Sequence, residues 1–385
     1  MRPGARTNVG PPSRFLESRP RPGPRPRPEL GFGGWAVGGS GWGAPTPERE
    51  RLAAIERAIE RGITFFDTAP TYGAGASESL LGRVLGPYRE RVTIATKVGP
   101  RDDPRASLEA SLSRLATDYV DLVQLHEYGD RWESQIEQLN RLQDEGKARA
   151  IGACNATHLQ LARALEIAAF HTYQGPYNLF DRDVEERHLP LCSRRGIAFL
   201  AYRPLASGLL GGGYQEAPAP APAPTFPEGD HRRNIFWFKG AEFDRRRAAI
   251  ARLEGLARAR GTSLAALALG WVLARPGVAI VLAGARTARQ VNDNVSAVEH
   301  PLSAEEVAQV DAIVAAVFPP RRATATARRL AAGWGARERY IVEQLDGSRT
   351  YEAIAAGWTD RGEQPMIAAQ VKVFCDQLAE QGLVE

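Results

Sequence analysis

From about residue 29 onward, short runs rich in β-branched and aromatic residues alternate with stretches whose apolar positions recur every three and four residues. The runs are ELGFGGWAV, ITFFDTA, VTIATKVG, YVDLVQLH, ARAIGACN, HTYQGPYN, IAFLAYRPL and VAIVLAGA. Between them lie helical patterns such as PERERLAAIERAIERG and RWESQIEQLNRLQDEGK. Thr46 followed by Pro47 predicts an N-cap and a first turn, and Ser303 with Glu306 predicts a capping box. Alternating strands and helices predict parallel strands joined by right-handed crossovers. The eight runs fall between about residues 29 and 285. A chain of this length with eight such units predicts an α/β fold of the closed (β/α)8 TIM-barrel type. An open doubly wound sheet is its rival.

Three stretches break the rhythm. Residues 1–28 hold seven Arg among many Pro and Gly, too little apolar surface to offset the entropy of ordering. They predict a disordered lead-in. Residues 206 to about 243 form a long Gly/Pro/Ala-rich connection after the seventh strand, a length usually tied to function or disorder. Its APAPAPAP part predicts an extended spacer, and FPEGDHRRNIFWF has the aromatics to pack down. The third stretch is 319–385. Pro319-Pro320 stops the helix SAEEVAQVDAIVAAV, and RRATATARR reads as a polar connector. The predicted organisation is therefore a lead-in at 1–28, a barrel at 29–318, and a linker with a small helical module at 319–385.

Composition narrows the class. Of 385 residues, 43% are hydrophobic and 24% charged, which excludes a disordered or fibrous chain. The net charge of +4 is too small at this size to argue for nucleic acid. No apolar run is long enough for a transmembrane helix, and the N-terminus lacks a signal peptide's apolar core. Cys154, Cys192 and Cys375 stand far apart, with no CxxC and no metal spacing. They fit a reduced, cytoplasmic chain with no bound metal.

The chemistry gathers at strand ends. Asp67 ends FFDTA, Lys97 ends TIATK and His126 ends LVQLH, while Tyr72 follows Asp67 by five residues. In a barrel those ends converge on the mouth where active sites lie. A lysine at the end of an apolar strand needs a counter-charge, and Asp67 is the natural partner. A fixed ammonium beside a phenol predicts a Tyr72 pKa lowered from about 10 towards neutrality. Tyr72 then serves as general acid, and His126 donates to a carbonyl oxygen from a second direction.

These residues stand in motifs that resemble the aldo/keto reductase family: GITFFDTAPTYGAGASESLLGRVLG, TIATKVG, SLSRLATDYVDLVQLH, GKARAIGACN, YQGPYNLFDR, AYRPLASGLL and LGWVLARPGVAIVLAGARTARQVNDNVSAVE. The resemblance covers residues 30 to about 317. It implies a catalytic tetrad of Asp67, Tyr72, Lys97 and His126, NADPH as cofactor, and a small-molecule aldehyde or ketone as substrate. It also implies cofactor contacts. Asn155 and Gln174 would hold the nicotinamide carboxamide, and Tyr202 would stack on its ring. Gly34 and Trp35 lie towards the nicotinamide ribose, and Asp67 is a further cofactor contact. Leu205, Gly208 and Leu210 run along the pyrophosphate, Arg203 reaches a phosphate, and Pro204 beside them is a further cofactor contact. Arg286 and Gln290 lie near the adenosine 2′-phosphate and Asn294 near adenine, and Gly284 is a further cofactor contact. A guanidinium suits a phosphate and favours NADPH over NADH.

The sequence departs from the family in places. The Arg/Pro lead-in stands where relatives place a hairpin under the barrel. Arg203 replaces a common Ser, and Cys154 replaces another before Asn155, where it reads as packing. GSGWGA at 39–44 matches a Rossmann turn, but Thr46-Pro47 places the helix start beyond it. The tail weakly resembles helix-turn-helix and winged-helix modules, including leader-peptide binders. Val371, Phe374, Leu378 and Leu383 form its last apolar face, and a second helix is capped near Thr350. A peptide or protein partner is the corresponding expectation. Nine basic and nine acidic residues over 321–385 argue against DNA. Potassium-channel β-subunits resemble the same family and keep the tetrad. A cofactor-binding regulatory or interaction subunit is therefore the alternative to an enzyme.

Overall fold

A computed structural model describes residues 29–214, 223–318 and 336–345, with Ile354, Val371, Phe374, Cys375 and Leu378. Eight parallel strands close into a barrel in chain order. They are β1 (Glu29–Gly33), β2 (Phe65–Asp67), β3 (Thr93–Val98), β4 (Leu122–Leu125), β5 (Ile151–Cys154), β6 (Thr172–Pro176), β7 (Ala198–Tyr202) and β8 (Val278–Gly284). Closure comes from β1 on β8, in register from Glu29 against Ile280 to Gly33 against Gly284. Every residue of β2, β3, β4 and β5 is buried. Parallel strands covered on both faces read as continuous apolar runs, which is why their pattern stands out in the sequence.

Two apolar layers hold the barrel. Inside it, Phe65, Leu122, Leu200, Ile280 and Leu282 pack with the small Ala95, Ala150 and Ala198. Outside it, the helices cover the strands through a larger cluster that includes Phe66, Leu81, Leu139, Tyr173 and Trp271. Helix α1 (Glu48–Glu60) starts one residue later than predicted. Pro47 occupies the N-cap position, its carbonyl accepting from Glu50 and Arg51, and no side chain caps the end. The Ser303–Glu306 capping box before the helix Ala304–Val317 is formed as predicted.

The GSGWGA stretch is an irregular loop between β1 and α1, with Gly39, Gly41 and Gly43 at positive φ. It opens no helix, so the Rossmann reading falls with the barrel topology. In the long connection after β7, Trp237 and Phe238 are buried, so the aromatic half packs down as expected. Most of the APAPAPAP spacer lies outside the described residues. So do the lead-in, Pro319-Pro320, the polar connector, Thr350 and Leu383. In the tail, Ala336–Gln344 is helical. Tyr340, Ile341, Ile354, Val371, Cys375 and Leu378 are buried and Phe374 is half-buried. Among the described residues, no helix is long and apolar enough to cross a membrane.

Candidate active site

Three strand ends and one turn deliver the reactive side chains to one mouth. Asp67 closes β2, Lys97 lies in β3, and His126 follows β4 with its N–H on the Val98 carbonyl at 2.8 Å. Tyr72 sits in a turn whose carbonyl accepts from Ser77 N–H at 3.2 Å. Gly73 presses that turn on the β1–α1 loop: a Cβ there would collide with the Gly38 carbonyl oxygen. Only glycine, which also accepts its φ of +63°, fits.

Lys97 is fully buried. Its Nζ donates to Asp67 Oδ2 at 2.6 Å, to the Thr68 carbonyl at 2.9 Å and to Tyr72 Oη at 3.3 Å. Burial works against its charge, but Asp67, Tyr72 and Cys154 outweigh burial and raise its pKa above the lysine range. The ammonium is therefore fixed at any working pH. The second Asp67 oxygen accepts from Gln174 Nε2 at 2.8 Å and from Gln124 Nε2 at 3.4 Å.

The expected lowering of the Tyr72 pKa is not found. Burial pushes the phenol up to about 12, and Lys97 only partly opposes this while Asp67 reinforces it. The Asp67 carboxylate cancels much of the field that the ammonium would impose alone. Tyr72 consequently keeps its proton at neutral pH, as a proton donor requires. Burial, aided by Lys97, holds His126 down to about 3, so its imidazole is neutral. The His126 ring lies edge-on to Tyr72 at 5.9 Å between centroids.

A cleft of about 440 Å³ runs from this centre between the loops after β7 and β8. At the Asp67–Tyr72 end it is lined by Trp35, Asp67, Tyr72 and Tyr202. Arg203, Pro204, Leu205 and Gly208 continue one wall, and Gly284, Arg286, Gln290 and Asn294 the far end. Four predicted cofactor residues do not line it. Gly34 is buried behind it, its N–H on the Asp67 carbonyl at 2.7 Å, while Gly33 faces the cleft. Leu210 belongs to the apolar core. Gln174 is buried against Asp67. Asn155, at φ +53°, donates to the His126 carbonyl at 3.0 Å and accepts from Tyr202 Oη at 2.8 Å. That pair ties Tyr202 to the backbone at His126. Cys154 is buried and its thiol is pushed well up by burial, which fits packing rather than nucleophilic chemistry.

Arg203, at φ +54°, sits 3.6 Å from Asp181 with its guanidinium over the Trp237 ring at 5.2 Å. Sequence reasoning does not single out Gln124, Trp42, Ser207, Tyr214 or Arg232. Gln124 is visible as an amide inside the apolar run LVQL. The other four line the cleft from loops, and loop closure has no period to read.

The family model for the aldo/keto reductase family matches residues 29–315. The aldo-keto reductase YhdN of Bacillus subtilis is 36% identical over 307 residues, covering 74% of this chain and 89% of its own. A glycerol dehydrogenase structure from Gluconobacter oxydans superposes with a TM-score of 0.67 at 34% identity, covering 77% of this chain and 94% of its own. An aldo-keto reductase of Klebsiella pneumoniae, solved in complex with NADPH, gives a TM-score of 0.59 at 29% identity over 75% of this chain and 91% of its own. With the motifs, the barrel and these relatives in agreement, the chain belongs to the aldo/keto reductase family.

Proposed function

We propose that this protein is an NADPH-dependent reductase of aldehydes or ketones, with Asp67, Tyr72, Lys97 and His126 as its catalytic set. The carrying observation is the Asp67–Lys97–Tyr72 chain, 2.6 Å and 3.3 Å long in its two links, with Asp67 and Tyr72 lining one end of the cleft. Bound NADPH supplies the hydride that the carbonyl carbon accepts. Tyr72 gives its proton to the carbonyl oxygen as negative charge grows there. Lys97 stabilises the phenolate that this leaves, and Asp67 fixes Lys97. The neutral imidazole of His126 donates an N–H to the same oxygen and orients the carbonyl.

The cleft suits a dinucleotide. Ser207 Oγ is buried there without a hydrogen-bond partner among the described residues. At Gly208 and Gly213 a Cβ would meet nothing within 4 Å, so the wall leaves room for backbone to approach a ligand. Tyr202, Leu205 and Gly208 would hold the nicotinamide and pyrophosphate portions, with Pro204 and Arg203 beside them. Arg286, Gln290 and Asn294 would hold the adenosine end. The Klebsiella relatives, bound to NADPH and to NADP, support the choice of cofactor.

The test is turnover of a panel of aldehydes and ketones with NADPH. Consumption of cofactor with formation of alcohol is expected. Tight NADPH binding without turnover on any of them would turn the reading to the regulatory or interaction subunit. The catalytic names of the relatives weigh against that alternative. The three free cysteines support a reducing, cytoplasmic setting. A peptide or protein partner for the tail is supported by its sequence pattern alone.

Arg286→Ala is expected to weaken NADPH binding by about 10- to 100-fold, since a charge-assisted hydrogen bond to phosphate is worth about 1.5–3 kcal/mol. NADH affinity should change little. Equal weakening for both cofactors, measured by titration, would remove Arg286 from the 2′-phosphate.

A further inference from the structure

We propose that Gln124 is a positioning residue for the reduction: its side-chain amide, braced by Thr172, holds the Asp67 carboxylate so that the opposite oxygen stays aimed at Lys97. The proposal rests on the catalytic set given above and adds to it a residue from the barrel interior.

Gln124 is a buried amide inside an apolar strand. It lies in β4 two residues after Leu122, on the same face, and so points into the barrel. It is fully buried and does not line the cleft. An amide in such a place is costly unless both of its ends are bonded. Its neighbours supply both. Nε2 donates to Asp67 Oδ1 at 3.4 Å, and Oε1 accepts from Thr172 Oγ1 at 3.5 Å. The orientation is forced. A carboxylate only accepts, so the amide meets it with an N–H, and its carbonyl is left for the hydroxyl.

Room for this bridge comes from a missing side chain. Gln124 is in register with Gly152 on β5, and Gly152 with Thr172 on β6. A Cβ at Gly152 would collide with Thr172 Oγ1 and press on Gln124 Cγ at 3.3 Å. The middle strand therefore leaves a gap, and Gln124 and Thr172 meet across it.

Both oxygens of Asp67 are thereby engaged. Oδ2 accepts from Lys97 Nζ at 2.6 Å, while Oδ1 accepts from Gln174 at 2.8 Å and from Gln124. The terminal torsion of a carboxylate is soft, and two amides on one oxygen, one from β4 and one from β6, fix its plane. Gln174 is also the amide called on for the nicotinamide carboxamide. Gln124, away from the cleft, keeps its hold on Oδ1 when a cofactor draws on Gln174. The carboxylate in turn sets where Lys97 Nζ sits, 3.3 Å from Tyr72 Oη. That last contact counts most once Tyr72 has given up its proton, so its loss falls on the chemical step.

The experiment is steady-state reduction of an aldehyde by the full chain, with NADPH affinity from fluorescence titration and Tm from thermal unfolding. Gln124→Met keeps the side-chain length and removes both polar ends. It should lower kcat by about tenfold, the scale of one hydrogen bond to a charged group. KM for the aldehyde and Kd for NADPH should stay within about twofold, because Gln124 touches neither ligand. Tm should fall, because the Thr172 hydroxyl is left buried without its acceptor. The double variant Gln124→Met with Thr172→Val removes that hydroxyl. It should recover most of the lost Tm while kcat stays about tenfold down, since Asp67 Oδ1 still lacks its second donor. If the single variant does not fold, the double variant carries the same comparison. A folded variant with kcat within about twofold of wild type would overturn the positioning role. Recovery of kcat together with Tm in the double variant would do the same, as would KM and Kd rising in step with the fall in kcat. Each of these outcomes makes Gln124 a packing residue and leaves the catalytic set standing. A wild-type chain that turns over no aldehyde or ketone would overturn the catalytic reading and the positioning role with it.

Discussion

Tyr72→Phe is expected to lower kcat for carbonyl reduction by about 10²–10⁴-fold, the usual worth of a positioned general acid. NADPH affinity should stay within about twofold, because the missing interaction belongs to the transition state. The ring is retained, and with it the stacking on Trp35 at 6.1 Å and the edge contact with His126. What disappears is the hydroxyl that meets Lys97 Nζ at 3.3 Å. Turnover within about threefold of wild type would remove Tyr72 from the reaction. The pH profile tests the same assignment. A general acid works while protonated, so its rate falls as pH rises through its pKa, here about 12. A neutral imidazole donor works above its own pKa, here about 3. The reductive kcat should therefore be flat between about pH 5 and 9. An alkaline fall inside that window would mean that the ammonium controls the phenol more strongly than burial does.

That contrast marks what the sequence can and cannot disclose. Lys97 is legible because an ammonium at the end of TIATK is intolerable without a partner, and the nearest strand end offers Asp67. The sign of the shift at Tyr72 is not legible. A neighbouring charge can be inferred from spacing, but desolvation depends on how far the surrounding loops close. The strands are legible for a related reason: TIATKV and LVQL are buried on both faces, so apolar runs survive without alternation. The start of α1 lies one residue beyond the one its sequence suggests. Thr46-Pro47 has the right chemistry for a cap, yet the chain turns at Pro47. The cleft walls are half legible. Arg286 and Gln290 stand in a motif, whereas Trp42 and Arg232 are brought together by a contact between Gly41 and His231, 190 residues apart. No local pattern encodes such a meeting.

Lys97→Met is expected to lower kcat for reduction by about 10²–10³-fold and to destabilise the fold, and the two effects are separable. Methionine fills the apolar space of the lysine stem but leaves Asp67 Oδ2 without the donor that sits at 2.6 Å. Removing one member of a buried pair is destabilising by about 3–5 kcal/mol, because the remaining charge stays desolvated. Gln174 and Gln124 still donate to Oδ1, which places the loss towards the lower end. Catalysis fails for a different reason. The phenolate left after Tyr72 gives up its proton would form without a neighbouring cation, beside the Asp67 carboxylate. Loss of a preorganised stabilising group of this kind lowers kcat by about 10²–10³-fold. The double variant Asp67→Asn with Lys97→Met removes both charges and keeps the volume. It should recover most of the lost Tm, because a neutral replacement of a buried pair is often tolerated, and its kcat should stay lowered. Recovery of stability and activity together would reduce Lys97 to a structural counter-charge. A folded Lys97→Met variant that turns over near the wild-type rate would remove it from the mechanism altogether.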